Sequence, residues 1–391
     1  MTTVEHRLPR IAPDLSEDQL LVARSVRTYA TSRLAPRAAE RDRDGTYPLD
    51  EMGPLAELGL LAMKVPAEDG GGGADNVAYV LAMEAVAEAC VSTAVILASS
   101  NLVAKILAEH GSEAQRQRWL APYAAGQLGP ASFALSEPGC GSDAAALTTA
   151  ARLDGDHWVL SGAKMWITSG AHAGFHLVFA RSDGPGPTGI SAFVVPRGAP
   201  GLHVGKEEHK MGQRASGTVA LSFDDCRIPA DCLLGVRGGG YPIALSALGA
   251  GRVGIAALSI GIAEAALAAG EGYVRERRAF GKPLAEFQNT QFVLADCRTE
   301  LDAAWLLTLR AARLLDAGDK AAAETSMAKL FASEACGRIV DRALQLHGGY
   351  GYSQEYPIER MYRDARVTRI YEGTSEIQRI VIARELLRAH R

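Results

Sequence analysis

The sequence predicts an α+β chain of several domains: an N-terminal all-α domain, a central β-barrel or sandwich domain, and a C-terminal four-helix bundle. Two observations carry this. Apolar residues recur with a helical period up to about residue 125, with a period of two from about 130 to 235, and with a helical period again from Tyr241. The 391 residues are also too many for one ordinary domain and suit two or three that share interfaces. The domains are accordingly expected at 1–128, 129–240 and 241–391.

In chain order, Ser16 with Gln19 forms a capping box ahead of an apolar stripe at Val22, Val26, Tyr29 and Ala30. Residues 52–61 and 76–89 carry further helical patterns, with the four glycines at 70–73 as the loop between them. Residues 91–108 read as a buried helix pair, interrupted by Ser99, Ser100, Asn101 and Lys105. In the middle third, 132–135, 157–160, 164–168, 175–180, 190–195 and 219–223 are strand-like. Turn signals at 154–156 and 184–187 separate some of them. Short strands at this spacing predict a sandwich or barrel rather than βαβ units. The segments 245–278, 288–317, 320–347 and 375–388 are each long enough to span a bundle.

Composition excludes several classes of function. Lys plus Arg is 41 and Asp plus Glu is 45, a net charge of −4, so no positive excess is available to grip nucleic acid or an anionic membrane. With 48% hydrophobic and 22% charged residues the bulk of the chain is globular. No apolar run reaches about 18 residues, so no membrane-spanning helix is expected. The start, MTTVEHRLPR, lacks the apolar core of a secretory signal, and the end is no peroxisomal address. Of the six cysteines only Cys226 and Cys232 are close, which argues against a disulfide framework and for a cytoplasmic location. His203, His209, Cys226 and Cys232 have the wrong spacing for zinc, so no metal is expected. His347 reads as a structural hydrogen-bonder and 206–210 as a solvated loop.

The segment 139–144, GCGSDA, matches a dinucleotide fingerprint. Pro138 precedes it, and too few residues separate it from the turn at 154–156 for the helix a Rossmann unit requires, so nicotinamide binding is set aside. A polar, Gly-rich loop can still present backbone N–H groups to an anionic or carbonyl-rich ligand.

Four ordered segments resemble the acyl-CoA dehydrogenase family: LSEPGCGSD at 135–143, KMWITS at 164–169, ERRAFGKPL at 276–284 with Phe287 and Gln288, and QLHGG at 345–349 followed by IYEGTS at 370–375. The resemblance runs from about residue 15 to 387. It implies the same α, β, α order, bound FAD, a homotetramer, and oxidation of the Cα–Cβ bond of an acyl-CoA thioester to the trans-2-enoyl thioester, with electrons passed to an electron-transfer flavoprotein.

That reaction needs a carboxylate at Cα and hydrogen-bond donors aimed at the thioester carbonyl, because the α proton is very weakly acidic. The resemblance assigns the base to Glu372 and gives its backbone N–H to the carbonyl. A loop glutamate is ordinarily a solvated charge; here the neighbours Tyr371, Gly373 and Thr374 match the family and argue otherwise. Gly373 supports a tight turn, and Ser375 with Gln378 reads as a capping box opening the next helix. Burial beside an acyl chain is expected to raise the Glu372 pKa toward neutral. Some family members carry the base beside the arginine matching Arg252; here Gly251 stands there, which argues against the isovaleryl and long-chain branches.

The resemblance places Phe133, Leu135 and Ser136 along the flavin edge, Gly141 and Ser142 in the Gly-rich loop, and Trp166, Ile167 and Thr168 over the ring. It gives Arg277, Phe280, Gln288, Gln345, Gly348 and Gly349 to the pyrophosphate and adenosine end, Arg277 and Phe280 reaching a neighbouring subunit's FAD. Thr374 and Glu376 match FAD contacts at a helix N-terminus. Ser142, Arg252, Tyr371 and Gly373 are expected on the substrate. Many members carry an aspartate three positions before Arg252 that bonds CoA; this chain has Gly249, which keeps an acyl carrier protein open as the thioester carrier. Residues 96–101 are expected to line the acyl tail pocket. With no arginine there, substrates bearing a second carboxylate are disfavoured. A flavin-dependent oxidase or monooxygenase and a non-enzymatic flavoprotein module are the rival readings; the intact Glu372 argues against the first, and Ser136, Trp166 and Arg277 with it argue against the second.

Overall fold

The structure, a computed structural model, describes residues 11–388. The N-terminal decapeptide read for a leader and positions 389–391 lie outside the described residues. Helix α1 (Glu17–Tyr29) opens at the expected capping box: the Ser16 hydroxyl accepts from the Gln19 N–H at 3.1 Å, and the Gln19 side chain accepts from the Ser16 N–H at 3.0 Å. Two short helices follow, α2 (Ala38–Asp44) and α3 (Met52–Glu57), and then α4 (Asn76–Ala89) and α5 (Val91–His110). The last two are apolar nearly all round and lie in the core. The stretch from 91 is one helix, not a pair. Asn101 does not break it, because its side-chain amide bonds the Leu97 carbonyl one turn back as well as the backbone of Leu60 and Met63.

The middle of the chain forms one mixed eight-stranded sheet. Its members are β1 (Ala131–Ala134), β2 (Ala150–Asp154), β3 (His157–Thr168), β4 (Phe175–Arg181), β5 (Ile190–Pro196), β6 (Leu202–Glu207), β7 (Thr218–Pro229) and β8 (Leu233–Leu234). The order is β6-β7-β3-β2-β4-β5-β8, with β1 added in parallel to β4. Alternation assigns the two faces. Phe175, Leu177 and Phe179 of β4 and Ile190, Ala192 and Val194 of β5 join the helical core. Val178, Ala180, Phe193 and Val195 face the other way and meet Trp158, Leu160, Val219, Leu221 and Phe223 in a second core. The sheet thus folds over itself, with the Trp158 and Phe193 rings 5.1 Å apart.

The C-terminal bundle is α6 (Gly240–Glu276), α7 (Gln288–Asp316), α8 (Ala322–His347) and α10 (Ser375–Arg388), with a further short helix α9 (Ile358–Arg366) that the sequence pattern did not disclose. A two-stranded hairpin, β9 (Arg278–Ala279) and β10 (Lys282–Pro283), joins α6 to α7. By composition α5 and α6 are long and apolar enough to cross a membrane, a property that counting unbroken apolar runs missed because single polar residues interrupt both. In this fold 83% of the most apolar stretch of each is buried inside the protein. Glycines let α6 lie against α4: a Cβ on Gly254 would stand 2.6 Å from the Tyr79 hydroxyl, and one on Gly261 would strike the Glu84 carbonyl. Between α6 and α7, Arg298 grips both Glu264 carboxylate oxygens at 2.9 Å, and the Trp305 indole adds a bond at 3.2 Å. All six cysteines are free. Among the described residues no three His, Cys, Asp or Glu side chains converge as a metal would require.

Candidate active site

Glu372 sits on the turn between α9 and α10 with φ +50°, followed by Gly373 at φ +91°. A non-glycine residue in the left-handed region persists only where its surroundings hold it. Here the Lys329 ammonium of α8 donates to the Gly373 carbonyl at 2.8 Å, and the Gln378 amide donates to the Gly373 and Glu372 carbonyls at 2.9 and 3.3 Å. On the other side the Gln213 amide donates to the Tyr371 hydroxyl at 3.3 Å and to the Asp364 carbonyl at 3.1 Å. The cap of α10 is Thr374, one position before the expected Ser375: its hydroxyl accepts from the Ile377 N–H at 3.4 Å. Ser375 instead donates to Glu334 at 2.7 Å. The box expected from Ser375 and Gln378 does not form, because Gln378 is spent on the carbonyls of the turn.

The turn's carbonyls are satisfied and its reactive groups are left free. Glu372 Oε2 is buried without a hydrogen-bond partner, and among the described residues the Glu372 N–H has no acceptor. Burial pushes the carboxyl up to about 7, while Lys329, Lys64 and Arg252 pull against it. Position 251 of α6 faces this oxygen: a Cβ there would stand 3.1 Å from Glu372 Oε2 and 3.0 Å from Leu102. Gly251 therefore clears the space that a side chain would fill. Arg252 donates to the Ser326 hydroxyl at 2.8 Å and keeps its buried Nε unpartnered.

A second strip forms where β3 bulges. The register with β7 shifts between Lys164 and Ile167, and Trp166 takes φ +65° with 60% of its surface exposed. The Ser136 carbonyl accepts from the Met165 N–H at 2.9 Å, which sets Ser136 beside it. The loop is pinned from beneath by the buried Lys164, which donates to Glu137 at 2.8 Å and to the Leu135 carbonyl at 3.0 Å. Glu137 also accepts from the N–H groups of Thr148 and Thr149 at 2.7 and 2.9 Å. Burial disfavours its charge, but Lys164 and these donors outweigh it and hold the carboxyl down to about 2. Phe133 lies behind, its ring 5.0 Å from Phe179. Gly141 and Ser142 are exposed on the loop, which is followed by a single turn at 144–146 and a strand, not the helix of a Rossmann unit. The Ile167 side chain is buried in the β core, because the alternation after the bulge turns it away from Trp166 and Thr168, so its expected place at the ring falls to its backbone.

The third group lies at one end of the bundle. Arg277 is exposed, its guanidinium 5.3 Å from the Tyr350 ring. Phe280 is 95% exposed with φ +49°. Gln288, Gln345, Gly348 and Gly349 are exposed around the same helix ends, and His347 is occupied structurally by the Ala343 carbonyl at 2.7 Å and the Tyr273 ring. Among the described residues no hydrogen bond, ion pair or ring contact joins this end to Trp166 or Glu372. Glu376, 76% exposed, stands apart in the first turn of α10. Lys329 and Gln213, which help hold the Glu372 turn, carry no local signal in the sequence. Lys64 did carry one, as a lone charge in the apolar run 58–65.

The residues present fit FAD. Among the described residues the half-buried hydroxyls of Ser136 and Thr168 have no hydrogen-bond partner, and both adjoin an exposed tryptophan held in a strained conformation. The family profiles agree along the chain: "Acyl-CoA dehydrogenase, N-terminal domain" matches 16–127, the "middle domain" 132–226, and the "C-terminal domain" 238–387. The chain is 49% identical to the mitochondrial short-chain specific acyl-CoA dehydrogenase of Mus musculus, over 97% of this chain and 92% of that one. Butyryl-CoA dehydrogenase from Megasphaera elsdenii superposes with TM-score 0.93 at 38% identity, over 96% of this chain and 99% of that one. A chain solved in work on the electron transferring flavoprotein of Acidaminococcus fermentans and flavin-based electron bifurcation superposes with TM-score 0.94 at 40% identity, over 96% and 99%. The chain belongs to the acyl-CoA dehydrogenase family, and with it to the FAD-dependent oxidoreductases.

Proposed function

We propose that this protein oxidises the Cα–Cβ bond of an acyl-CoA thioester, with Glu372 as the base. Bound FAD supplies the acceptor for the hydride leaving Cβ. Its electrons go on to an electron-transfer flavoprotein, a reading supported by the likeness to the chain from that system. The observation that carries the proposal is the partnerless Glu372 oxygen, buried on a strained turn and facing the space that Gly251 keeps open. A carboxyl near pH 7 in its titration is matched to proton abstraction at neutral pH.

The chain's own groups account for the remaining tasks. The free Glu372 N–H donates to the thioester carbonyl as negative charge develops on its oxygen. Lys329 and Gln378 hold the turn so that this donor and the carboxylate keep their relative positions. Tyr371 and Gly373 flank the reacting carbons, Arg252 adds positive charge on the CoA side, and Ser142 lies along the pantetheine. Ser136, Thr168 and Trp166 hold the flavin ring. Arg277, Phe280, Gln288, Gln345 and Gly349 hold the pyrophosphate and adenosine of a neighbouring copy's FAD, in a cytoplasmic homotetramer. Exposed aromatic surface such as Phe280 supports an interface there. The test is to titrate the purified flavoprotein anaerobically with saturated acyl-CoAs and follow the visible flavin band. The band is expected to bleach, and a band unmoved by every chain length overturns the proposal.

A further inference from the structure

The space beside Glu372 carries two charged side chains that dehydrogenation itself does not use. It is a narrow cleft between α4, α5 and α6. Ala98 and Leu102 of α5 and Ala247 and Gly251 of α6 give it apolar walls. The rest of its lining is Tyr79 and two lysines, Lys64 and Lys105. Gly251 is the wall shared with the catalytic carboxylate, 3.1 Å from Glu372 Oε2 at its Cβ position. The cleft and the catalytic carboxylate thus adjoin at one backbone position.

Lys64 is fixed from the backbone. Asn101 accepts from the Met63 N–H at 2.7 Å and donates to the Leu60 carbonyl at 2.8 Å. The glycine run folds back along the same segment: Gly72 N–H donates to Ala62 at 3.0 Å, Gly73 N–H to Val65 at 2.9 Å, and Ala74 N–H to Met63 at 2.7 Å. The Lys64 ammonium lies 4.4 Å over the Tyr79 ring, and among the described residues it makes no hydrogen bond or ion pair. Lys105 is already paired on its outer side, with Glu109 at 2.5 Å.

Burial pushes the Lys64 ammonium down to about 8, and Lys105 repels it further; Glu109, Glu372 and Asp316 act in the opposite direction. At neutral pH it is still mostly charged. A methyl-ended chain in this gap strips water from that charge and returns nothing. A carboxylate returns a charge-assisted hydrogen bond.

We propose that this pocket selects acyl thioesters ending in a carboxylate, the monothioesters of short dicarboxylic acids, with Lys64 receiving the distal carboxylate and Lys105 adding positive charge beside it. The proposal rests on the dehydrogenase reading and corrects the expectation drawn from the lack of arginine at 96–101. The cations come from positions 64 and 105, outside the stretch expected to line the tail.

The experiment compares glutaryl-CoA with its methyl ester, which has the same reacting end without the charge, and with hexanoyl-CoA, using the FAD-loaded enzyme. The wild type is expected to favour glutaryl-CoA over the ester in kcat/KM by about tenfold to a hundredfold, the range for one hydrogen bond to a charged group. Lys64→Met is expected to abolish that ratio, and dissociation constants of the unreactive thioether analogues to follow the same order. Removing Lys64 also alters the charge around Glu372, but this moves both substrates together and cancels in the ratio. Should Lys64→Met fail to fold, Lys64→Gln keeps a polar amide in place and is expected to give the same loss. A wild-type ratio at or below one, or a ratio unchanged in the variants, overturns the proposal. Bleaching by hexanoyl-CoA in that event keeps the dehydrogenase reading standing; no bleaching by any of the three removes both.

Discussion

Glu372 and Phe280 have nearly the same backbone, φ +50° and +49°, at turns close to helix ends, yet the protein treats them in opposite ways. The Glu372 turn is tied by Lys329 from α8, Gln378 from α10 and, through Tyr371, Gln213 from the β region. The Phe280 turn is closed only by its own hairpin, with Arg278 donating to the Gly281 carbonyl at 2.8 Å and the Leu284 N–H to the Arg277 carbonyl at 2.8 Å. Its ring is left in solvent. The same strain is thus compensated inside one subunit at the first site and has no such support at the second. On the proposed reading the base and its support lie within one chain, while the cofactor grip at the far end is completed by a neighbouring copy.

The most damaging change on this view is Glu372→Gln. It should keep the yellow colour and lose about 10²–10⁴ in turnover, the span of a general base. The sign of its stability effect is opposite. A carboxyl whose folded pKa is raised to about 7 from 4.5 costs the folded state increasingly as pH rises between those values, so the variant should unfold at higher denaturant than the wild type above pH 7. A lower midpoint there would mean that the carboxylate is satisfied by a partner.

Arg277→Gln should act on the other side of the comparison. FAD retention is expected to weaken by about tenfold to a hundredfold, as for a lost charged hydrogen bond, and to do so along with assembly size. The enzyme that still holds FAD should show an unchanged pH profile. Ultrafiltration of free FAD and light scattering read the first two, and a loss of base function without loss of FAD would break the division.

The pH profile itself is a finer probe. Values of kcat/KM should fall about tenfold per pH unit on the acid side of about 7 and level off above it. Lys329→Met removes a cation that favours the ionised base and should move this limb to higher pH. A limb that stays in place would remove Lys329 from the charges acting on the base.

The smallest effect on turnover is expected from Glu137→Gln, beneath the Ser136 strip. Its carboxyl is held down to about 2, so its stabilising contribution is present above pH 4.5 and is lost as pH falls through about 2. At pH 7 the variant should be less stable by about 3 kcal/mol, as for a broken buried pair, and the gap should narrow below pH 4.5. Urea unfolding at the two pH values measures it; a gap independent of pH would assign the loss to packing.

The fold was largely legible because its signals are local. The capping box at Ser16, the switch of period near 130 and the long bundle helices all appear as drawn. Helix α9 was missed because its apolar stripe, Ile358, Met361 and Ala365, is short and set among charged residues. Glu372, Trp166 and Arg277 were singled out through short motifs. The ties of the Glu372 turn were not, since Lys329 and Gln213 act across 44 and 158 positions, and Gln378, noted only as a capping residue, bonds the turn's carbonyls instead. Residues 206–210 were only partly right: Lys206 and Glu207 end β6, and Lys210 is buried without a partner instead of solvated. On the proposal above, the tail pocket takes only Ala98 from the expected stretch, and its lysine comes from a different segment.

The four glycines at 70–73 have a consequence beyond their geometry. A methyl group on Gly71 would collide with the Val65 carbonyl, so this strap tolerates little change, whereas the side chain at 64 projects from it with no bond to the Glu372 turn. One codon can therefore be rewritten, and on the proposal above the diet of the enzyme with it, while the turn that carries the base keeps its own ties.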